Sequence, residues 1–204
     1  MADEIPRGMT PTYAVFHRWL AKHRREVKAG HNQTVIYTGV SYAKGEAIGE
    51  WKRLQDHADA MYAYCGWRPR WQPLEAVLRG LKCRFKPYQG ELVLPDRLRR
   101  YDTMWDFACQ VGKDKLVSGH EAAQIWLNLS ANYARNATGG VFIWQGEVLK
   151  RYPDLLLAEI PVLAKNRNLT TNALKKVLEM VPSSRATWER YRDDNANGRL
   201  DGRR

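Results

Sequence analysis

The chain has 204 residues, 44% hydrophobic and 11% aromatic, which is enough to bury a core and too apolar for a disordered chain. No apolar run reaches the ~18 residues of a membrane-spanning helix, and the opening MADEIPRG lacks a secretory apolar stretch, so no membrane partner and action in the cytoplasm are expected. The formal charge of +11 favours anionic partners, whether nucleic acid, acidic protein or a phosphorylated small molecule, without choosing among them.

In chain order, Thr10-Pro11 reads as a helix cap followed by a first-turn proline. The helix is predicted to run to about Ala29, with Val15, Trp19 and Val27 toward the core. Its basic side, His17-Arg18 and His23 to Arg25, is either a solvated face or a nucleic-acid contact, and ordinary amphipathic patterning favours the first. Thr34 to Thr38 (TVIYT) is a strand by β-branching, closed by Gly39. Gly45 to Tyr64 reads as a helix with Ile48, Trp51, Leu54, Ala58, Met61 and Tyr62 on one face. The loop Trp67 to Trp71 (WRPRW) carries two indoles and two guanidinium groups, which either stack on bases or anchor by packing.

Leu74, Val77, Leu78 and Leu81 recur at i, i+3, i+4 and i+7, a helix from which Glu75 lies off the apolar stripe. As a first-turn residue Glu75 complements the helix dipole, whatever else it does. Tyr88 to Pro95 reads as a turn and short strand, and Leu98 to Val111 as a helix carrying Tyr101, Met104, Trp105 and Ala108. Ser118 and Glu121 have capping-box spacing ahead of the next helix. That helix is expected over Gln124 to Ala137, with Ile125, Leu129 and Tyr133 inward and Trp126 and Ser130 together on a neighbouring face. Gly139-Gly140 ends it, and Val141 to Trp144 is a buried strand.

Leu155 to Leu163 is almost wholly apolar, yet Glu159 stands in its middle. Either the carboxylate faces water from a strand end or helical turn, or it is buried for a purpose, because an unpaired buried charge is costly. A last pair of helices is predicted: one capped at Thr170 or Thr171 with Leu174, Val177 and Leu178 inward, and one holding Trp188 and Tyr191, before a frayed end from Asn195. Cys65, Cys83 and Cys109 form no disulfide framework or zinc pair, and the five histidines form no ligand cluster, so no metal is expected.

Trp126-x-x-x-Ser130 on a helix, followed by Tyr133-Ala134-x-x-Ala137, a strand, a loop and Glu159 in an apolar run, resembles the ADP-ribosyl cyclase / NAD glycohydrolase family. A second motif, Pro73-Leu74-Glu75 with Gly80 five residues on, is similar to that family's T-L-E-x-x-x-x-G, with proline in place of threonine. Together the motifs span roughly residues 35 to 165. The resemblance implies an α/β fold: a helical lobe packed beside a small, mainly parallel β-sheet flanked by helices, with a ligand cleft between them. It implies one domain over 1–204, with a helix-rich lobe over about 10–110, a nucleotide-binding lobe over about 111–182 and a polar tail over 183–204.

By the same resemblance Trp126, Ser130 and Glu159 belong to the nucleotide site, and Glu75 points into the cleft. Tyr37 takes the place, at the end of the first strand, where the family carries tryptophan beneath the nicotinamide. An ordinary sheet tyrosine is the alternative. The implied reaction is hydrolysis of NAD+ or NADP+, taken as substrate with no cofactor, to nicotinamide and ADP-ribose. The implied biology is an antagonistic toxin or effector that depletes NAD, delivered into a target cell by a specialised secretion system and opposed by a cognate immunity protein. Two departures stand out. The disulfides of animal members are missing, and Lys82 and Arg84 follow Gly80 where those members are acidic. The competing reading is a basic nucleic-acid-binding protein or nuclease, supported by the charge of +11, the basic helix and the WRPRW loop.

Overall fold

A computed structural model describes residues 8–43, 46–83, 85, 98, 100–148 and 151–197. Helix α1 (Pro11–His23) opens on Thr10, whose hydroxyl accepts from the Tyr13 amide at 3.2 Å. It ends earlier than Ala29. Asn136 donates from Nδ2 to the carbonyls of Arg24 and Val27, the latter at 3.1 Å, and so satisfies groups that a longer helix would have bonded internally. Val27 is nonetheless fully buried, as its sequence position suggests.

The TVIYT run forms β1 (Thr34–Thr38). Gly39 follows at φ 87, a left-handed conformation that glycine adopts without strain. The chain then makes an antiparallel hairpin from β2 (Val40–Ala43) and β3 (Glu46–Gly49), with Val40 opposite Gly49. The helix predicted from Gly45 therefore starts only at Glu50, as α2 (Glu50–Cys65), and Ile48 belongs to β3. Two glycines in the first five predicted helical residues weaken a helix there, and strand pairing takes over.

Strand β4 (Gln72–Pro73) leads directly into α3 (Leu74–Gly80). Helix α4 (Met104–Gln110) starts six residues after Leu98, because Thr103 and Asp106 form a reciprocal capping box. The strand expected within 88–95 lies outside the described residues. Helix α5 (Gly119–Arg135) has the predicted Ser118/Glu121 box and begins with it, so it starts before Gln124. Glu121 also accepts from the Thr10 amide at 2.7 Å, which ties the start of α1 to the start of α5.

Strand β5 (Val141–Gln145) completes a parallel sheet in the order β4-β1-β5, with Val35 opposite Phe142 and Tyr37 opposite Trp144. The run 155–163 is a π-helical turn (Leu155–Glu159) continued by α6 (Ile160–Leu163). Helix α7 (Thr171–Glu179) is capped by Thr170 and buries Val177, whereas Leu178, expected inward, is exposed. The polar stretch from 183 is helical to Ala196 as α8 (Val181–Ala196), and it buries Ser184, Thr187, Tyr191 and Asp194.

The described residues thus form a mixed α/β fold of eight α-helices, a three-stranded parallel sheet and a separate hairpin. The largest fully buried side chains include Phe16, Leu78, Met104, Phe107, Ile125, Leu129, Tyr133 and Ile160, which bring α1, α3, α4, α5 and α6 onto one core. Each such apolar side chain contributes about 1.5–3 kcal/mol by leaving water. No described helix is long and apolar enough to cross a membrane.

Candidate functional site

Tyr133 shows how the sheet end is built. Pro73 has no N–H, so β4 cannot continue the ladder with β1. The buried Tyr133 hydroxyl, reaching from α5, takes over. It accepts from the Val35 amide at 3.1 Å and donates toward the Val35 carbonyl at 3.2 Å and the Gln72 carbonyl. This bond sets the face of α5 that carries Trp126, Ser130 and Tyr133, at i, i+4 and i+7, against the carboxyl ends of β1 and β4.

A cavity of about 250 Å³ lies there. It is lined by the end of β1 at Tyr37, Thr38 and Gly39, by Leu74 and Glu75 at the start of α3, and by Trp105 of α4. Trp126, Ser130 and Tyr133 of α5 and Asp154, Leu155 and Glu159 close it. Crevices outside the carboxyl ends of parallel strands, where the strand order reverses about a central strand, are the usual ligand position in open α/β sheets. All five residues expected in the site, Tyr37, Glu75, Trp126, Ser130 and Glu159, line this one cavity, although they come from separate parts of the chain.

Glu159 does not face water: it is only 6% exposed. Pro161 explains how it is aimed. Proline has no N–H to give the carbonyl four residues back, and its ring crowds that carbonyl. The ladder opens, and the Ile160 amide reaches five residues back to Leu155 instead of four. The freed carbonyls find partners on α8: Ser184 Oγ donates to the Leu156 carbonyl at 2.6 Å, and Trp188 Nε1 donates to the Leu157 carbonyl at 2.7 Å. A π turn holds one extra residue, so Glu159 is rotated by about 100° from the direction an uninterrupted α-helix would give it.

Burial, and then the nearby Asp154, push the Glu159 carboxyl well above the usual carboxylate range, while a hydrogen bond from Ser130 acts the other way. No ion pair is formed by Glu159 among the described residues. Burial of this carboxyl thus favours its protonated form over the carboxylate.

Opposite it, Tyr37 Oη donates to Glu75 Oε2 at 3.5 Å. Burial pushes the Tyr37 phenol up to about 12, with Glu75 and Glu159 adding to the effect. Arg79, one turn along α3, donates to Glu75 Oε1 from Nε at 3.0 Å and from Nη2 at 2.9 Å. The same guanidinium lies 4.9 Å from the ring centre of Trp105, which meets Trp126 edge to face at 5.5 Å. Arg79, which is not itself a lining residue, thus links Glu75 to the two indoles of the wall. The lining contains three carboxyl groups and no lysine or arginine, the reverse of the chain's overall charge.

Trp105 and Asp154 join the site without a distinguishing sequence signal: Trp105 is one more apolar residue of the helix predicted over 98–111, and nothing in the sequence singles out Asp154. Tyr133 was expected in the core, where it is, but its hydroxyl also serves the cavity wall. Among the described residues no three His, Cys, Asp or Glu side chains are grouped to hold a metal ion. No protein-family model matches the chain, and no curated protein or solved structure matches it significantly.

Proposed function

We propose that the cavity takes the nicotinamide-ribose end of NAD+ or NADP+ and that the protein hydrolyses the bond between ring and sugar. The observation that carries this reading is the convergence of a buried carboxyl group, Glu159, and an indole wall, Trp105 and Trp126, in one acidic cavity. At about 250 Å³ the space suits one ring and its sugar, and the adenylate half would extend over the rim.

The nicotinamide ring is a cation until the bond breaks. Against the Trp126 face it is attracted by about 1–2 kcal/mol when water is excluded. Its charge also supplies the counter-ion that buried Glu159 lacks, so binding favours ionised Glu159. The C–N bond then breaks with its electron pair going to the ring nitrogen, and the ribosyl carbon becomes oxocarbenium-like. Ionised Glu159, held by Ser130, stabilises that carbon at short range in a dry site. A water oxygen adds to the carbon and its proton leaves, so NAD+ and water give nicotinamide, ADP-ribose and one proton. Glu75, oriented by Arg79 and Tyr37, accepts from the carboxamide NH₂ and sets the ring's direction.

Hydrolysis rather than cyclisation is the proposed outcome, because Lys82 and Arg84 replace the acidic neighbour of the family pattern. By the same resemblance the biological role is that of a toxin or effector that depletes NAD in a target cytoplasm and is neutralised by an immunity protein. The test is incubation with NAD+ and with NADP+ in EDTA, followed by chromatography. Nicotinamide and ADP-ribose are the expected products. Dinucleotide left intact by folded protein refutes the reading, and a mainly cyclic product redirects it to signalling.

A further inference from the structure

A second cavity, about 670 Å³, lies at the amino end of the sheet, away from the carboxyl-lined site. Its walls are residues 31–33, ahead of β1, and 66–70, ahead of β4. The walls are joined by the Gln72 amide donating to the Gln33 carbonyl at 2.9 Å. No carboxylate lines it. Arg70 has no ion pair among the described residues, and Arg68 holds Asp59 at 2.5 Å from outside the lining.

The two tryptophans of the WRPRW loop have different roles. Trp71 is half-buried and stacks on Phe142 of β5, with ring centres 4.7 Å apart, so it anchors the loop to the sheet. Trp67 is 58% exposed, and Tyr64, just before it at the end of α2, is 93% exposed. An indole left in water beside two guanidinium groups, on a loop already fixed by Trp71, is a preformed surface for a flat ring attached to a phosphate. A nucleobase with its backbone phosphate has that chemistry, and each base stacked on an aromatic side chain strengthens binding whatever its sequence. A duplex hides its base faces, so an unpaired strand fits. The charge of +11 draws such a strand to the surface.

We propose that this cavity binds single-stranded nucleic acid, with a base on Trp67 and an adjoining phosphate on Arg70. The site is separate from the proposed NAD site and does not depend on it.

The test is fluorescence anisotropy with labelled oligo-uridylate and oligo-thymidylate of about twelve nucleotides, titrated between about 50 and 200 mM salt. A hairpin duplex and polyglutamate serve as competitors. Saturable binding to the single strands is expected. Trp67→Ala weakens it by about 5–150-fold, the loss of one stacked base, and Trp67→Tyr retains most of it. Arg70→Ala lowers affinity and reduces the salt slope by about one. Arg190→Ala, an equal charge loss on exposed α8, has a smaller effect. The proposal is overturned by absent or non-saturable binding, by Trp67→Ala binding like the parent, or by Arg190→Ala matching Arg70→Ala. Preferential displacement by duplex or polyglutamate overturns it in favour of a duplex or an acidic protein. Trp67 and Arg70 are exposed, so these variants keep the fold, which thermal melting checks.

Discussion

Replacing Glu159 by glutamine should move activity and stability in opposite directions. The side chain is 6% exposed, has no ion pair among the described residues and sits near Asp154, so its carboxyl is held well above the ordinary 4.5. In the unfolded chain it ionises near that ordinary value. Between the two values the folded state holds a proton that the unfolded state has lost. The folded state therefore loses stability relative to the unfolded state as pH rises through this interval. Glutamine has nearly the same shape, can accept the Ser130 hydrogen bond and does not titrate. The difference in melting temperature between Glu159→Gln and the parent should therefore grow in favour of the variant as pH is raised from the ordinary 4.5 toward the folded-state value above it. Each 1 kcal/mol is worth about 2–4 °C in a chain of this size, which scanning calorimetry resolves. Turnover of NAD+ should meanwhile fall by ~10²–10⁴, the usual loss when one principal electrostatic group is removed. A difference in melting temperature that is flat with pH would mean that burial does not raise the Glu159 carboxyl above its ordinary value. Near-parental turnover would remove it from the chemistry.

Trp126→Ala should weaken dinucleotide binding by ~5–30-fold, the equivalent of a desolvated cation–π contact, while Trp126→Phe keeps most of it. Isothermal titration on the Glu159→Gln background measures this without turnover, and equal affinities for all three would discard the indole as a ring seat. Ser184→Ala should leave the Leu156 carbonyl without its donor, at about 1–3 kcal/mol, and so lower the melting temperature by roughly 2–12 °C. Turnover should fall as well, because the π turn that aims Glu159 is loosened, and unchanged melting and turnover would show that α8 does not hold that turn. Glu121 behaves oppositely to Glu159. Burial raises its pKa, but bonds from Thr10 and Ser118 outweigh this and lower it below 4.5. Its stabilisation is present above that value and is lost as pH falls through the folded-state value. Glu121→Gln should flatten the acid limb of a melting-temperature profile, and superimposable limbs would contradict this.

Much of the local structure was legible because it is governed by neighbours in sequence. The Thr10-Pro11 start, the Ser118/Glu121 box and the TVIYT strand depend on caps, φ restrictions and β-branching within a few residues. The i, i+4 spacing of Trp126 and Ser130 puts both on one side of α5 whatever the tertiary contacts. The competing fates of Glu159, solvated or buried, were also visible, since both follow from one carboxylate in an apolar run.

Only the tertiary structure chose between those fates. Pro161 disrupts the helix ladder, but whether the result is a break, a kink or a π turn depends on donors for the freed carbonyls. Those donors, Ser184 and Trp188, stand more than twenty residues away on a helix whose sequence is mostly polar. The hairpin that displaced the start of α2 and the Asn136 bonds that shortened α1 are likewise tertiary or cross-strand events, which no helical periodicity records. The inclusion of Trp105 and Asp154 in the cavity was hidden for the same reason. A tryptophan on an apolar stripe and an aspartate before a helix look the same whether they meet a core, the solvent or a ligand, and that depends on what the rest of the chain packs against them.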